Sequence, residues 1–242
     1  MVEIKKAAHG DLLEYLSVGA VGLRYFELVG QADRLKCELS RNSGELNLIL
    51  IKLNENLINL KKLMSWWVMN NFIEALDASI KTKNWYSVLF ISLTLPDICG
   101  KIDRPDLKSS KLRTIEWYNK YLLPAYTSFI GPSKTKHVFL SGSDFYALRC
   151  ACLHEGSNDI SEQKARETLQ SFIFIQPMDS SLYVHCNQIN NSLQLQVDQF
   201  GSDVLFAVKC WMKDISSDQN KISKIESMLF IKMIDPSKGF SI

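Results

Sequence analysis

From residue 11 to residue 171 the apolar residues of this chain recur mostly at steps of three and four, and only between 172 and 197 does the period fall to two. That switch constrains the fold more than any other feature, because a 3.6-residue period buries one stripe of a helix and a period of two buries one face of a strand. The most regular stretch is Leu46, Leu50, Leu53, Leu57, Leu60, Met64 and Trp67, an apolar stripe in alternating steps of four and three. It reads either as a coiled-coil seam between two chains or as one arm of a hairpin packed on residues 11–39. Ile49, Ile51 and Ile58 widen the apolar surface beyond a narrow seam and favour the hairpin.

Further along, helical spacing over 69–95 breaks near Lys81-Thr82-Lys83-Asn84 and is expected to stop at Leu95-Pro96-Asp97, since proline disfavours helix in the residue before it. Residues 100–112 read as a loop. A helix from Thr114 to Leu123 meets Pro124, and Gly131-Pro132-Ser133-Lys134 reads as a second loop. A short helix runs from Ser141 to about His154 and a polar one from Ser161 to about Ser171. Phe172 to Ile175, Ser181 to Cys186 and Leu193 to Val197 then alternate, which predicts a three-stranded antiparallel meander. Helical spacing returns over 198–215, and a last helix begins near 218. The expected class is mainly α (α+β), with an N-terminal helical hairpin over 1–68 and a helical domain over 69–242 that carries the meander at about 172–197.

A hydrophobic share of 46% with 22% charged residues suits a packed core and excludes a disordered chain. The net charge of +2 provides no global field for nucleic acid, so any such binding needs a local patch. The six cysteines have no framework spacing, the first residues do not resemble a secretory signal, and no run reaches the roughly 18 apolar residues of a membrane span. Reduced thiols and a cytoplasmic location are the expectation, with no membrane partner.

Residues 139–157, Phe-Leu-Ser-Gly-Ser-Asp-Phe-Tyr-Ala-Leu-Arg-Cys-Ala-Cys-Leu-His-Glu-Gly-Ser, hold the densest chemistry. Ser143 is expected to cap the helix and Asp144 to sit against its positive end. Gly156 falls where a helix end needs a left-handed residue. In an α-helix Arg149 and His154 are about 140° apart around the axis, so the long arginine has to curl toward the histidine.

Arginine, four residues, then histidine at a helix end resembles the R-x4-6-H motif of the HEPN superfamily. The context Leu95-Pro96-Asp97-Ile98-Cys99-Gly100, Tyr146-Ala147-Leu148-Arg149 and Leu153-His154-Glu155-Gly156-Ser157 is similar to a widespread set of bacterial proteins over roughly residues 70–212. The resemblance implies a HEPN-like helical core and a homodimer that cuts RNA without a metal or other cofactor. His154 would move the proton, Arg149 would hold the scissile phosphate, and Asp144, Tyr146 and Glu155 would support them. It also implies a role as a toxin or anti-phage effector. Cys150 stands where the family often has a polar residue. The competing structural reading pairs Arg149 with a local carboxylate, Asp144 or Glu155, and leaves His154 as a helix cap in a non-catalytic HEPN-like interaction or regulatory protein that dimerises and binds RNA or a partner.

Cys150, Cys152 and His154 do not share one helical face, which disfavours a zinc site. Phosphate-loop, dinucleotide and zinc-protease signatures are missing. Lys81, Lys83, Lys101, Arg104, Lys108, Lys111, Arg113, Lys134 and Lys136, with Trp85, Trp117 and Tyr118, fit either an RNA-facing surface or solvated loops above core aromatics.

Overall fold

The computed structural model describes residues 68–178, 183–229 and 231. The expected N-terminal hairpin and the 46–67 stripe lie outside the described residues. Contacts divide the chain into two compact units, residues 1–68 with 226–242, and Met69–Ile225. The architecture below is that of the second unit, which is mixed α and β.

A helix over 68–81 (α1) ends in a turn where Lys83 takes a left-handed φ of 57°. The Asn84 side chain then accepts from the Ser87 N–H and starts α2, Trp85–Asp103. Helix α2 runs through Pro96, where the sequence predicts a stop. Proline removes one helical donor, but both flanks of α2 are buried against neighbouring helices, and that packing outweighs the local penalty. The predicted loop over 100–112 shrinks accordingly. Ser109 caps α3, Ser110–Tyr121, by accepting from Leu112 N–H, and Gly100 lets the two helices approach. A β-carbon at Gly100 would lie 2.7 Å from the Arg113 carbonyl oxygen.

A 3-10 turn, Leu123–Tyr126, takes Pro124 near its start and leads into strand β1, Thr127–Ile130. The predicted 131–134 loop is the turn of an antiparallel hairpin with β2, Thr135–Val138. Helix α4, Gly142–Cys150, follows. Residues 161–170 form turns and not the expected polar helix. Strands β3 (Ser171–Ile175), β4 (Asn187–Ile189) and β5 (Ser192–Gln196) form one sheet in the order β3-β5-β4. β3 runs parallel to β5 and only β4 is antiparallel to it, so the predicted meander is a mixed sheet. The middle strand also falls at 187–189, later than expected; residues 183–186 are not strand.

Helix α5, Val197–Asp214, packs on α2, and Gly201 fits against Val88 and Ile80. Helix α6, Gln219–Glu226, buries Ile222 and Ile225. A line of rings fills the core: Tyr126, Tyr118, Phe145, Phe200 and Phe174 follow one another at centroid separations of 6.3, 4.8, 6.4 and 5.8 Å. Trp117, Tyr118 and Trp211 are fully or nearly fully buried. No helix among the described residues is long and apolar enough to cross a membrane.

Candidate functional site

Helix α4 is positioned at its start by Ser141, which replaces the predicted cap Ser143 and accepts from the Asp144 N–H at 3.1 Å. Asp144 is almost fully buried. Its carboxylate accepts from the Ser141 hydroxyl and from the backbone N–H groups of Glu167 and Thr168. It therefore pins the 161–170 segment to α4 and does not reach Arg149. A pocket of about 290 Å³ opens at this end, lined by Asn119, His137, Ser141, Asp144, Glu167 and Gln188 among others; neither Arg149 nor His154 lines it.

At the other end α4 widens into a π turn, Ala151–Glu155, closed by Gly156 at φ 65°. The left-handed glycine is the one expected. The Gly156 N–H donates to the Ala151 and Cys152 carbonyls. The wider turn brings residues five apart nearer to one line than α geometry does, which draws the Arg149 and His154 backbones toward a common side. Such bulges are frequent at functional sites. His154 is exposed.

Arg149 finds its partner across the fold. Its Nη2 donates to Asp97 Oδ2 at 2.6 Å, with side chains only 15% and 21% exposed. The other Asp97 oxygen accepts from the Ser110 hydroxyl at 2.8 Å and the Thr114 hydroxyl at 3.1 Å. The Tyr146 ring lies 6.0 Å beneath the guanidinium. Three helices thus converge: Asp97 from α2, Ser110 and Thr114 from α3, and Tyr146, Arg149 and Cys150 from α4. Burial, and then the Cys150 thiol beside it, push the Tyr146 hydroxyl above its ordinary range, while Ser110 and Arg149 oppose the shift. The Arg149 Nε is shielded from solvent and has no hydrogen-bonding partner among the described residues.

Of the predicted supporting residues, Tyr146 alone meets Arg149. Glu155 is exposed and accepts from Gln163 Nε2 at 2.9 Å, so neither local carboxylate is the partner of Arg149. Asp97 is the residue sequence reasoning missed. A lone charge in the apolar run Leu-Phe-Ile-Ser-Leu-Thr-Leu-Pro-Asp-Ile-Cys-Gly needs a partner, and that was the available signal.

The basic residues divide. Lys81 pairs with Asp77, Arg104 with Asp106 and Glu116, and Arg113 is buried with Nη1 donating to the Leu107 and Lys108 carbonyls. Trp117 and Tyr118 belong to the core, which removes them from any RNA-facing surface. Among the described residues no grouping of three or more His, Cys, Asp or Glu has the arrangement of a metal site. The chain matches no family model, and comparison with curated proteins and with solved structures finds no match.

Proposed function

We propose that this chain is a metal-independent endoribonuclease of HEPN type, acting as a homodimer, with His154 and Arg149 as its working pair. The observation that carries this reading is an exposed histidine on a π turn one turn beyond an arginine whose guanidinium is fixed from a second helix. A carboxylate that occupies one arginine nitrogen holds the planar fork in place, and the group has five N–H donors in all. Donors free of Asp97 remain for a phosphate oxygen.

The chemistry needs nothing beyond the RNA. The 2′-oxygen attacks phosphorus, the bond to the 5′-oxygen breaks, and a 2′,3′-cyclic phosphate and a 5′-hydroxyl result. A histidine takes the proton from the 2′-hydroxyl, and a histidine, here that of the second copy across a two-fold, gives one to the departing 5′-oxygen. Arg149 stabilises the charge that gathers on the phosphoryl oxygens. Toxin or anti-phage action is the biological setting that fits such an enzyme.

One observation favours a second reading, a non-catalytic interaction protein. Arg149 is largely withdrawn from solvent by Asp97, which a purely structural ion pair explains as well. Incubating total RNA with purified protein in EDTA, wild type beside Arg149→Ala and His154→Ala, separates the two. The ribonuclease reading expects cleavage that both variants lose while remaining folded and dimeric by mass. Intact RNA after incubation with folded, dimeric wild type would favour the interaction protein.

A further inference from the structure

Between Glu116 and Asp144 the sequence has no acidic residue, yet it has Lys120, Lys134, Lys136 and His137. Lys120 lies on α3 and pairs with Asp214, while Lys134, Lys136 and His137 belong to the β1–β2 hairpin, whose root is fixed and whose end is exposed. At the root, the Phe139 N–H donates to the Tyr126 carbonyl and the Thr127 hydroxyl to the Leu123 carbonyl. His137 Nε2 lies 3.1 Å from Gln188 Oε1 of β4. The Tyr126 ring itself is buried. At the tip, the Lys134 N–H closes the turn on the Gly131 carbonyl at 3.1 Å, with Pro132 between them and Lys134 at a left-handed φ of 47°. Proline at this position stiffens the turn.

The register sets Phe129 directly opposite Lys136, so both side chains leave the same face of the hairpin. Phe129 is 67% exposed, with Val138 exposed on the same face and Ile130 exposed on the other. Lys134 and Lys136 are exposed and have no acidic partner among the described residues. An uncovered aromatic ring with one lysine directly across the hairpin and another at its turn, neither with an acidic partner among the described residues, matches the needs of single-stranded nucleic acid. A ring face stacks a base, and ammonium groups meet the phosphates on either side.

We propose that the β1–β2 hairpin is a single-stranded RNA contact, with Phe129 stacking on a base and Lys136 and Lys134 holding adjacent phosphates. This rests on the RNA-directed reading above and names the surface that grips the substrate, apart from the residues that cut it.

The probe is a fluorescein-labelled 2′-O-methyl oligouridylate of about 16 nucleotides, a length that spans a typical single-strand site. It lacks the 2′-hydroxyl nucleophile, so binding is read without cleavage. Anisotropy is followed between about 50 and 200 mM salt. Phe129→Ala is expected to weaken binding about tenfold, within the range for losing one stacked base. Lys134→Ala/Lys136→Ala should flatten the plot of log affinity against log salt by about 1.4, roughly 0.7 for each phosphate contact on a single strand. Both variants should melt with the wild type, because the altered side chains are exposed. Equal affinity and slope in the variants would overturn the proposal. So would failure of folded wild type to bind at the lowest salt, or a change of oligomer mass in place of RNA binding, which would assign the surface to a second copy or another protein. Cleavage of unmodified RNA, assayed in parallel, separates the two claims. Hairpin-dependent binding without cleavage keeps the hairpin and sinks the nuclease, and cleavage with hairpin-independent binding does the reverse.

Discussion

Removing the Asp97 carboxylate should test the helix-spanning cluster more sharply than any other change. In Asp97→Ala, Arg149 loses its acceptor at 2.6 Å, and the Ser110 and Thr114 hydroxyls lose theirs at 2.8 and 3.1 Å. Breaking a fully buried ion pair costs about 3–5 kcal/mol, because one charge is left without compensation. Here the two side chains are 21% and 15% exposed, so water reaches the stranded guanidinium in part. The lower end, about 3 kcal/mol, is therefore the expected loss. At about 2–4 °C per kcal/mol for a folded unit of this size, Tm should fall by about 6–12 °C. Asp97→Asn should fall between the two, since it keeps an acceptor for the hydroxyls but strands the same charge. The assay is urea unfolding followed by circular dichroism for wild type, Asp97→Ala, Arg149→Ala and the double variant. Coupled residues predict that the double variant loses less than the sum of the singles by about 1.5–3 kcal/mol. Losses that add to within about 0.5 kcal/mol would refute the claim that these residues act as a unit.

Other expectations follow from the same geometry. Asp144→Ala strips three backbone and hydroxyl donors of a buried acceptor, so it should cost about 3 kcal/mol and expose the Glu167 and Thr168 amides to hydrogen exchange; unchanged protection at those amides would contradict its anchoring role. Gly100→Ala drives a β-carbon to 2.7 Å from a backbone oxygen that cannot turn aside, and a loss of about 1–3 kcal/mol in urea unfolding is expected, where a neutral or stabilising result would be inconsistent with the close α2–α3 approach. Burial and then the Asp203 carboxylate push the Cys186 thiol up to about 12. An unfolded thiol ionises near about 8.5, so this stabilisation is complete below that pH and is lost as pH climbs toward the folded value. Wild type should therefore lose stability relative to Cys186→Ala between those limits, whereas parallel urea midpoints across the range would disprove the shift.

Much of the helical framework was legible because α3 and α5 each bury one face and their apolar residues keep the period that demands it. Pro96 was misread because the rule for the residue before proline is local, while α2 is held from both sides by other helices. The β1–β2 hairpin escaped notice for the opposite reason. Its burial pattern is nearly all exposed, so no alternation marks it, and only the Gly-Pro turn hinted at a reversal. Strand periodicity indicates which residues share a face but not which strand runs beside which, and so the parallel pairing of β3 with β5 could not be read from spacing. At the candidate site, the sequence singled out Arg149 and His154 as candidates, and the left-handed glycine expected at 156 is there. It could not supply Asp97, which lies far back along the chain and meets Arg149 only when α2 and α4 pack around α3. Nor does helical periodicity announce a π turn, which depends on how the last carbonyls of α4 are satisfied.

The central claim, that Arg149 and His154 form a ribonuclease site driven by the RNA's own 2′-hydroxyl, is tested most directly by the ends it leaves. One defined RNA and its counterpart with a single 2′-deoxy sugar at the cut position are incubated with wild type in EDTA, and the products are resolved by mass. The account predicts a 2′,3′-cyclic phosphate and a 5′-hydroxyl from the first and no cut at that position in the second. Cleavage of the deoxy-substituted position, or 5′-phosphate ends from either, would contradict it.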